Sequence, residues 1–491
     1  MNVRAPVAVR TPDELEYAVP ARLWWILVPV LTLACGSSAE RRGATVLFAS
    51  GADLQSINPL LTVHPLARQV QRYVLLTTLA RYDSALTPRP YLARSWTWSP
   101  DRRSLTFHLD SIPWHDGHPT TSRDVVWTLR AARDPATGYP RASELVALQS
   151  ITAPDDVTVV LRFSTPQSTF PDLLTDLAIL PAHLLERVPP AELRRASWNE
   201  APVGNGPFRF VSHEPNRRWV FSANQAFPRH LGGPPRLDRF IVVVVDEPTT
   251  KLAALTSGEL DFAGIQPAHA EFVQRDPNLR VLTYPLLMTY GIVFNTRQPP
   301  FDQVRTRLAV SEAIDRSELV QGYIYGFGTP AFGPVPPTAP SYLAVQPVSR
   351  GAEAPPSRRV AFELLTVGSG EAALEQMVQA RLRRAGFDVT IRLLELSAFL
   401  ARVYGPRHEF DAAVLGIPGD LGLGYLRPLG ALAGLAVPAD PEAAQRIFAD
   451  SVPVAFLYHA RGLQGMNRRV QGVVMDLRGE LPTVQGWWVT R

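Results

Sequence analysis

Apolar and polar positions alternate with a period of two at several places along the chain, and such runs predict strands with one covered face. Residues 44–49, 104–109 and 157–163 follow this pattern, while 241–245 is a continuous β-branched run suited to a strand covered on both faces. Helical spacing of Leu66, Val70, Tyr73, Val74 and Thr77 predicts a helix within 65–82. Thr121 followed by Asp124 predicts a capped helix start before the apolar stretch 125–133, and 249–257 reads as a helix stopped by Gly258 before a strand over 259–262. In the second half, strands are expected at 290–295, 360–366, 388–395 and 410–416, and helices at 304–314 and 370–385. The proline-rich stretch 331–356 is expected to be an extended crossover. This strand–helix–strand alternation predicts a parallel sheet with crossover helices, hence an α/β fold.

Composition narrows the picture further. A chain of 491 residues, 46% hydrophobic and 19% charged, has enough apolar material for a large core, which excludes a disordered or fibrous protein. The formal charge of +4 is carried almost wholly by arginine, with Lys251 the only lysine. The basic residues are scattered without a stripe, so no nucleic-acid partner is expected. Cys35 is the only cysteine, which rules out an intramolecular disulfide and a cysteine zinc site. It closes the apolar run 23–34 behind Arg22; a membrane span needs about 20 apolar residues, so the run fits the core of an export signal instead. Residues 36–43 then read as a tether.

Two resemblances give these patterns a function. Residues Leu31-Thr-Leu-Ala-Cys35 resemble the lipobox of bacterial lipoproteins, which implies lipidation of Cys35, removal of 1–35 and an exported chain held at a membrane in the periplasm or at the cell surface. Leu92-Ala-Arg-Ser-Trp96, Trp114-His-Asp-Gly-His-Pro119 running on to Asp124, Val203-Gly-Asn-Gly-Pro-Phe208, Leu255-Thr-Ser-Gly-Glu-Leu-Asp261 and Ala313-Ile-Asp-Arg316 occur in that order. Together they resemble family 5 of the bacterial extracellular solute-binding proteins, the peptide- and nickel-binding receptors of ATP-driven importers. The resemblance implies a two-lobed periplasmic-binding-protein-like fold with an extra domain inserted in lobe one. By motif, lobe one comprises 44–62, 196–289 and 460–491, the inserted domain 63–195, and an apparently shortened lobe two 290–459. The implied function is capture of a short peptide or similar solute between the lobes and its delivery to ABC permease subunits by a monomeric receptor.

Site residues follow from the same resemblance. The segment after 410–416 carries the acid that meets a peptide ammonium group in this family, and here only Asp420 survives in it; the alternative is a solvated turn residue among glycines. Tyr290, Asn58, Tyr425 and Arg427 are the expected pocket neighbours. His115, Asp116 and His118 invite a metal reading, but Asp116-Gly117 is explained by a turn, so no metal or cofactor is expected. No Gly-x-Ser-x-Gly elbow, His-Glu-x-x-His pair or phosphate loop occurs, and no catalytic residue is expected. The remaining alternatives are a sensory or scaffold paralogue without transport and a receptor for metal chelates.

Overall fold

The structure, a computed structural model, describes residues 43–62, 64–344, 359–368, 372–438 and 440–490. Cys35, the export-like run and the middle of the proline-rich crossover lie outside the described residues. The strands used below are, in chain order, β1 (Thr45–Ser50), β2 (Phe208–Glu214), β3 (Arg218–Ala223), β4 (Arg239–Val244), β5 (Phe262–Gly264), β6 (Leu279–Phe294), β7 (Gly328–Pro330), β8 (Val360–Val367), β9 (Phe387–Leu394), β10 (Ala412–Pro418) and β11 (Val454–Asn467).

These form one 11-stranded mixed sheet in the order β9-β8-β10-β6-β11-β5-β1-β4-β3-β2, with β7 also on β11. Strand β8 runs parallel to both β9 and β10, as the alternation of the second half predicts, and β1 runs parallel to β4 and β5. The centre of the sheet is the antiparallel pair β6 and β11, of 16 and 14 residues, whose register slips between Pro285 and Thr289 and again between Tyr290 and Gly291. Each such irregularity bends a strand and raises its twist.

Among the described residues, four apolar cores cover this sheet. Beside β1 to β5, one core is built on Phe48, Phe240, Phe262 and Trp487, and a smaller one on Leu255, Leu260 and Val273 covers the opposite face. Beside β8 to β10, a core with Phe294, Phe301 and Phe362 faces one way and one with Phe399, Phe410 and Phe456 the other. The first core continues into a separate four-stranded antiparallel sheet formed by Ala93–Trp98, Ser104–Leu109, Leu148–Asp155 and Thr158–Phe163.

Several expectations need adjusting. The helix expected within 65–82 ends at Leu75, and Ala80–Tyr82 is already a strand. Gly206 donates its amide to the Leu75 carbonyl at 2.8 Å, and the Asn205 side chain takes the Thr77 amide at 2.9 Å, so the chain is pulled out of the helix there. A Cβ on Gly204 would lie 2.0 Å from that same carbonyl, which is why the contact needs glycine. The strand expected at 290–295 begins 11 residues earlier, at Leu279, because cross-strand pairing overrides the mixed pattern of Arg280, Thr283 and Pro285. Asp124 caps its helix as expected, accepting from the Thr121 amide at 2.8 Å and also from the Ala182 amide at 2.7 Å. Between Arg427 and Val452 the chain forms two short helices, Leu426–Ala433 and Pro441–Ser451.

Candidate binding cavity

A cavity of about 1130 Å³ opens beside the slipped register of β6 and β11. The loop following β5, the helices Arg316–Gly322 and Ala373–Arg384, and Glu480 complete its wall. Its size is that of a small-molecule or peptide site.

Aromatic side chains dominate one part of the wall. Tyr290 and Tyr458 are direct cross-strand partners, and their rings stack with centroids 4.8 Å apart; Tyr323 leans on Tyr458 at 6.3 Å. Burial raises the pKa of all three phenols, so they are neutral hydrogen-bonding groups at pH 7.

A polar group is assembled at another part. Tyr284 pairs with Gly462, and a Cβ on Gly462 would sit 2.1 Å from the Tyr284 ring, so the ring lies flat over bare backbone. Its hydroxyl donates to Glu480 Oε1 at 2.7 Å, and Gln464 Nε2 donates to the same oxygen at 2.9 Å. Glu480 is itself fixed by Gln69, whose Oε1 accepts from the backbone amides of Glu480 and Leu481 at 2.5 and 3.0 Å. Glu480 keeps part of its surface open, yet its carboxyl is crowded enough that burial raises its pKa against the lowering bonds from Tyr284, Gln464 and Gln69. The other charged side chain on the wall is Arg461, exposed and without an ion pair among the described residues.

Of the residues expected from sequence, Tyr290 lines this cavity. Asp420 stands outside the lining, half-buried, and accepts from the amides of Gly424 and Tyr425 at 3.0 and 3.1 Å. The Tyr425 hydroxyl donates to the Pro334 carbonyl at 2.9 Å, and burial raises its pKa. Arg427 is exposed in the first turn of the helix Leu426–Ala433. Asn58 is fully buried: its Oδ1 accepts from the Leu60 amide and its Nδ2 donates to Asn199, both at 3.0 Å. Sequence reasoning missed Glu480, Gln464, Tyr284 and Arg461; only the small residues opposite Tyr284 hinted at a close approach, and only once the register is known.

The histidine cluster is also rearranged. His115 points away, with Nε2 3.0 Å from the Gly206 carbonyl, and burial lowers its pKa to about 4. His183 takes its place: its Nε2 is 2.8 Å from Asp116 Oδ2, while His118 Nδ1 is 3.3 Å from Oδ1 and stacks on the His183 ring at 4.3 Å. These three side chains are the group among the described residues with metal-ligand spacing.

The family model described as bacterial extracellular solute-binding proteins, family 5 middle, matches residues 87–425. Similar curated proteins include the Probable di/tripeptide-binding protein 5 of Pseudomonas aeruginosa, 26% identical over 81% of this chain and 80% of that one. A Brucella abortus protein, named for peptide binding by an ABC transporter, is 33% identical over 49% of this chain. The match spans under half the length of that relative, 45%. Among solved structures, the oligopeptide-binding protein AppA of Bacillus subtilis with a nonapeptide aligns over 91% of this chain and 99% of that one, at TM-score 0.73 and 21% identity. CtaP of Listeria monocytogenes aligns over 91% and 100% at TM-score 0.77 and 19% identity. At such identity these structures establish the fold, a two-lobed α/β fold of binding-protein type.

Proposed function

The chain belongs to family 5 of the bacterial extracellular solute-binding proteins, and from that premise we propose that it is a non-catalytic receptor whose 1130 Å³ cavity captures a short peptide. The observation that carries this reading is the position of the cavity on the two longest strands of the sheet. In this reading β6 and β11 pass between lobe one and lobe two, with the chain crossing near Tyr290 and Tyr458, and the lobes close over the solute by bending at the slipped register. Peptides suit such a cleft because main-chain groups can pair with strand edges whatever the side chains. The receptor would be exported, held by lipid on Cys35 and matched to an ABC permease; loss of palmitate incorporation in Cys35→Ser tests the anchor by itself.

A thermal-shift screen of di- and tripeptides tests the binding function. A specific ligand at 100 times its Kd stabilises by about 2.7 kcal/mol. Stabilisation by peptides supports the reading, and a flat response to every peptide rejects it. Of the five residues expected from sequence, Tyr290 is the one this reading keeps against the ligand.

A further inference from the structure

We propose that Asp116, His118 and His183 form a zinc site outside the cavity, one that ties the turn at Asp116-Gly117 to the helix Ala182–Leu185. Asp116 and His183 are 67 positions apart, and buried residues bring them together. The turn is closed by the Trp114 amide donating to the His118 carbonyl at 2.7 Å and the Gly117 amide donating to the Trp114 carbonyl at 2.9 Å. Asp124 then joins turn and helix: one of its oxygens accepts from the Ala182 amide at 2.7 Å, the other from the Trp114 indole at 3.4 Å. Trp114 and Asp124 are 1% and 3% exposed, so the donors stand on a fixed base. The sequence cluster 115–118 does not make this set by itself, since His115 turns to the Gly206 carbonyl.

One ligand atom from each side chain lies within 4.8 Å of the others. Donors on a tetrahedral zinc stand about 3.3 Å apart, and the His118 side chain, 62% exposed, is free to close the remaining gap. Zinc takes the lone pairs that now share protons between the imidazoles and the carboxylate, and those protons leave to solvent. Two imidazoles and one carboxylate suit zinc, whereas Mg2+ and Ca2+ prefer sets made of oxygen. Among the described residues no arginine or lysine pairs with Asp116, so its charge is still available to a cation. The pair of His230 with Asp110, 3.1 Å apart, has the same chemistry with one imidazole fewer and falls short of a metal site. Three protein ligands leave the fourth position of the ion to water. The three residues are not part of the cavity lining, so zinc binding and peptide binding stand or fall separately.

The test titrates zinc chloride into the full chain, purified without a histidine tag and stripped with a chelator, and reads binding by calorimetry and native mass spectrometry. Melting is followed with and without Zn2+, and with Mg2+ in its place. The wild type is expected to take up zinc and to melt higher with it, and not to respond to Mg2+. His118→Ala, at an exposed position, is expected to fold by circular dichroism and to bind zinc more than about a hundredfold more weakly, because losing a residue that only orients a ligand already costs about 10–100-fold. His183→Gln is expected to lose binding to the same extent, and His230→Asn to bind as wild type does. No zinc uptake by the wild type overturns the proposal. So does an equal response to Mg2+, or a folded His118→Ala that holds zinc as tightly as wild type. If His183→Gln does not fold, His118→Ala set against His230→Asn decides it.

Discussion

Two crowded carboxylates, Asp176 and Glu480, meet opposite fates in this molecule. Asp176 is surrounded by arginines: Arg68, Arg72 and Arg141 all pair with it. Burial works to raise its pKa, but the three guanidiniums overcome this and hold it at about 2. The space beside it is about 10 Å³, room for a single water. Glu480 has neutral partners, a raised pKa and a cavity of about 1130 Å³ before it. Burial alone does not mark a functional acid. What separates the two is whether the surrounding protein has already spent the charge.

The largest effect should come from breaking the spent one. Asp176→Ala leaves three arginines without their shared partner, and chemical denaturation should show a loss of about 3–5 kcal/mol. Glu480→Gln, by contrast, strands no guanidinium among the described residues and should fold with a much smaller loss. A tolerated Asp176→Ala would erase the distinction.

The pH responses should differ in sign. Asp176 has a depressed pKa, so its ion pairs contribute stability above the ordinary 3.8 and lose it as pH falls toward about 2. Glu480 has a raised pKa, so its contribution is fully present below the ordinary 4.5 and is lost as pH rises through the folded value. Glu480→Gln should therefore make the empty protein more stable at pH values above the raised pKa of the native carboxyl. Two histidines add a separate window. Burial lowers His115 and His459 to about 4, so the protein should lose stability as pH falls from 6.5 to 4, by at most on the order of 3 kcal/mol for each. Urea melts across that window for His459→Gln should show a flatter dependence.

Smaller effects refine the cavity wall. Tyr458→Leu removes the ring stacked on Tyr290, and calorimetry should find peptide affinity reduced by about tenfold. Asp420→Asn keeps an acceptor for only one of the Gly424 and Tyr425 amides, which bond different carboxylate oxygens, yet it lies outside the cavity lining and should change affinity by less than about threefold.

The sheet was largely legible in the sequence, and the lining of the cavity was not, for one physical reason. Strands such as Ser104–Leu109 and helices such as Ala373–Arg384 are set by periodicities within a few residues. The family motifs, too, are mostly turns, caps and aromatic anchors: Asp116-Gly117, the Thr121–Asp124 start and Trp114 all sit in the scaffold. The Glu480 group depends on residues far apart, with Tyr284 lying 196 positions from its acid. Gly462 reads as an ordinary strand glycine until Tyr284 is placed opposite it. Asp420 was prominent because it stands among glycines in a loop, and that same setting lets it bond nearby backbone amides.

Hydrogen exchange of the whole chain, with and without a pool of synthetic di- and tripeptides, tests most directly whether this cavity is where ligand binds. The account predicts slowed exchange at 284–290, 322–327, 373–380 and 458–464, together with the segment around Glu480. Protection confined to other surfaces, with these segments unchanged while peptide is bound, would contradict it.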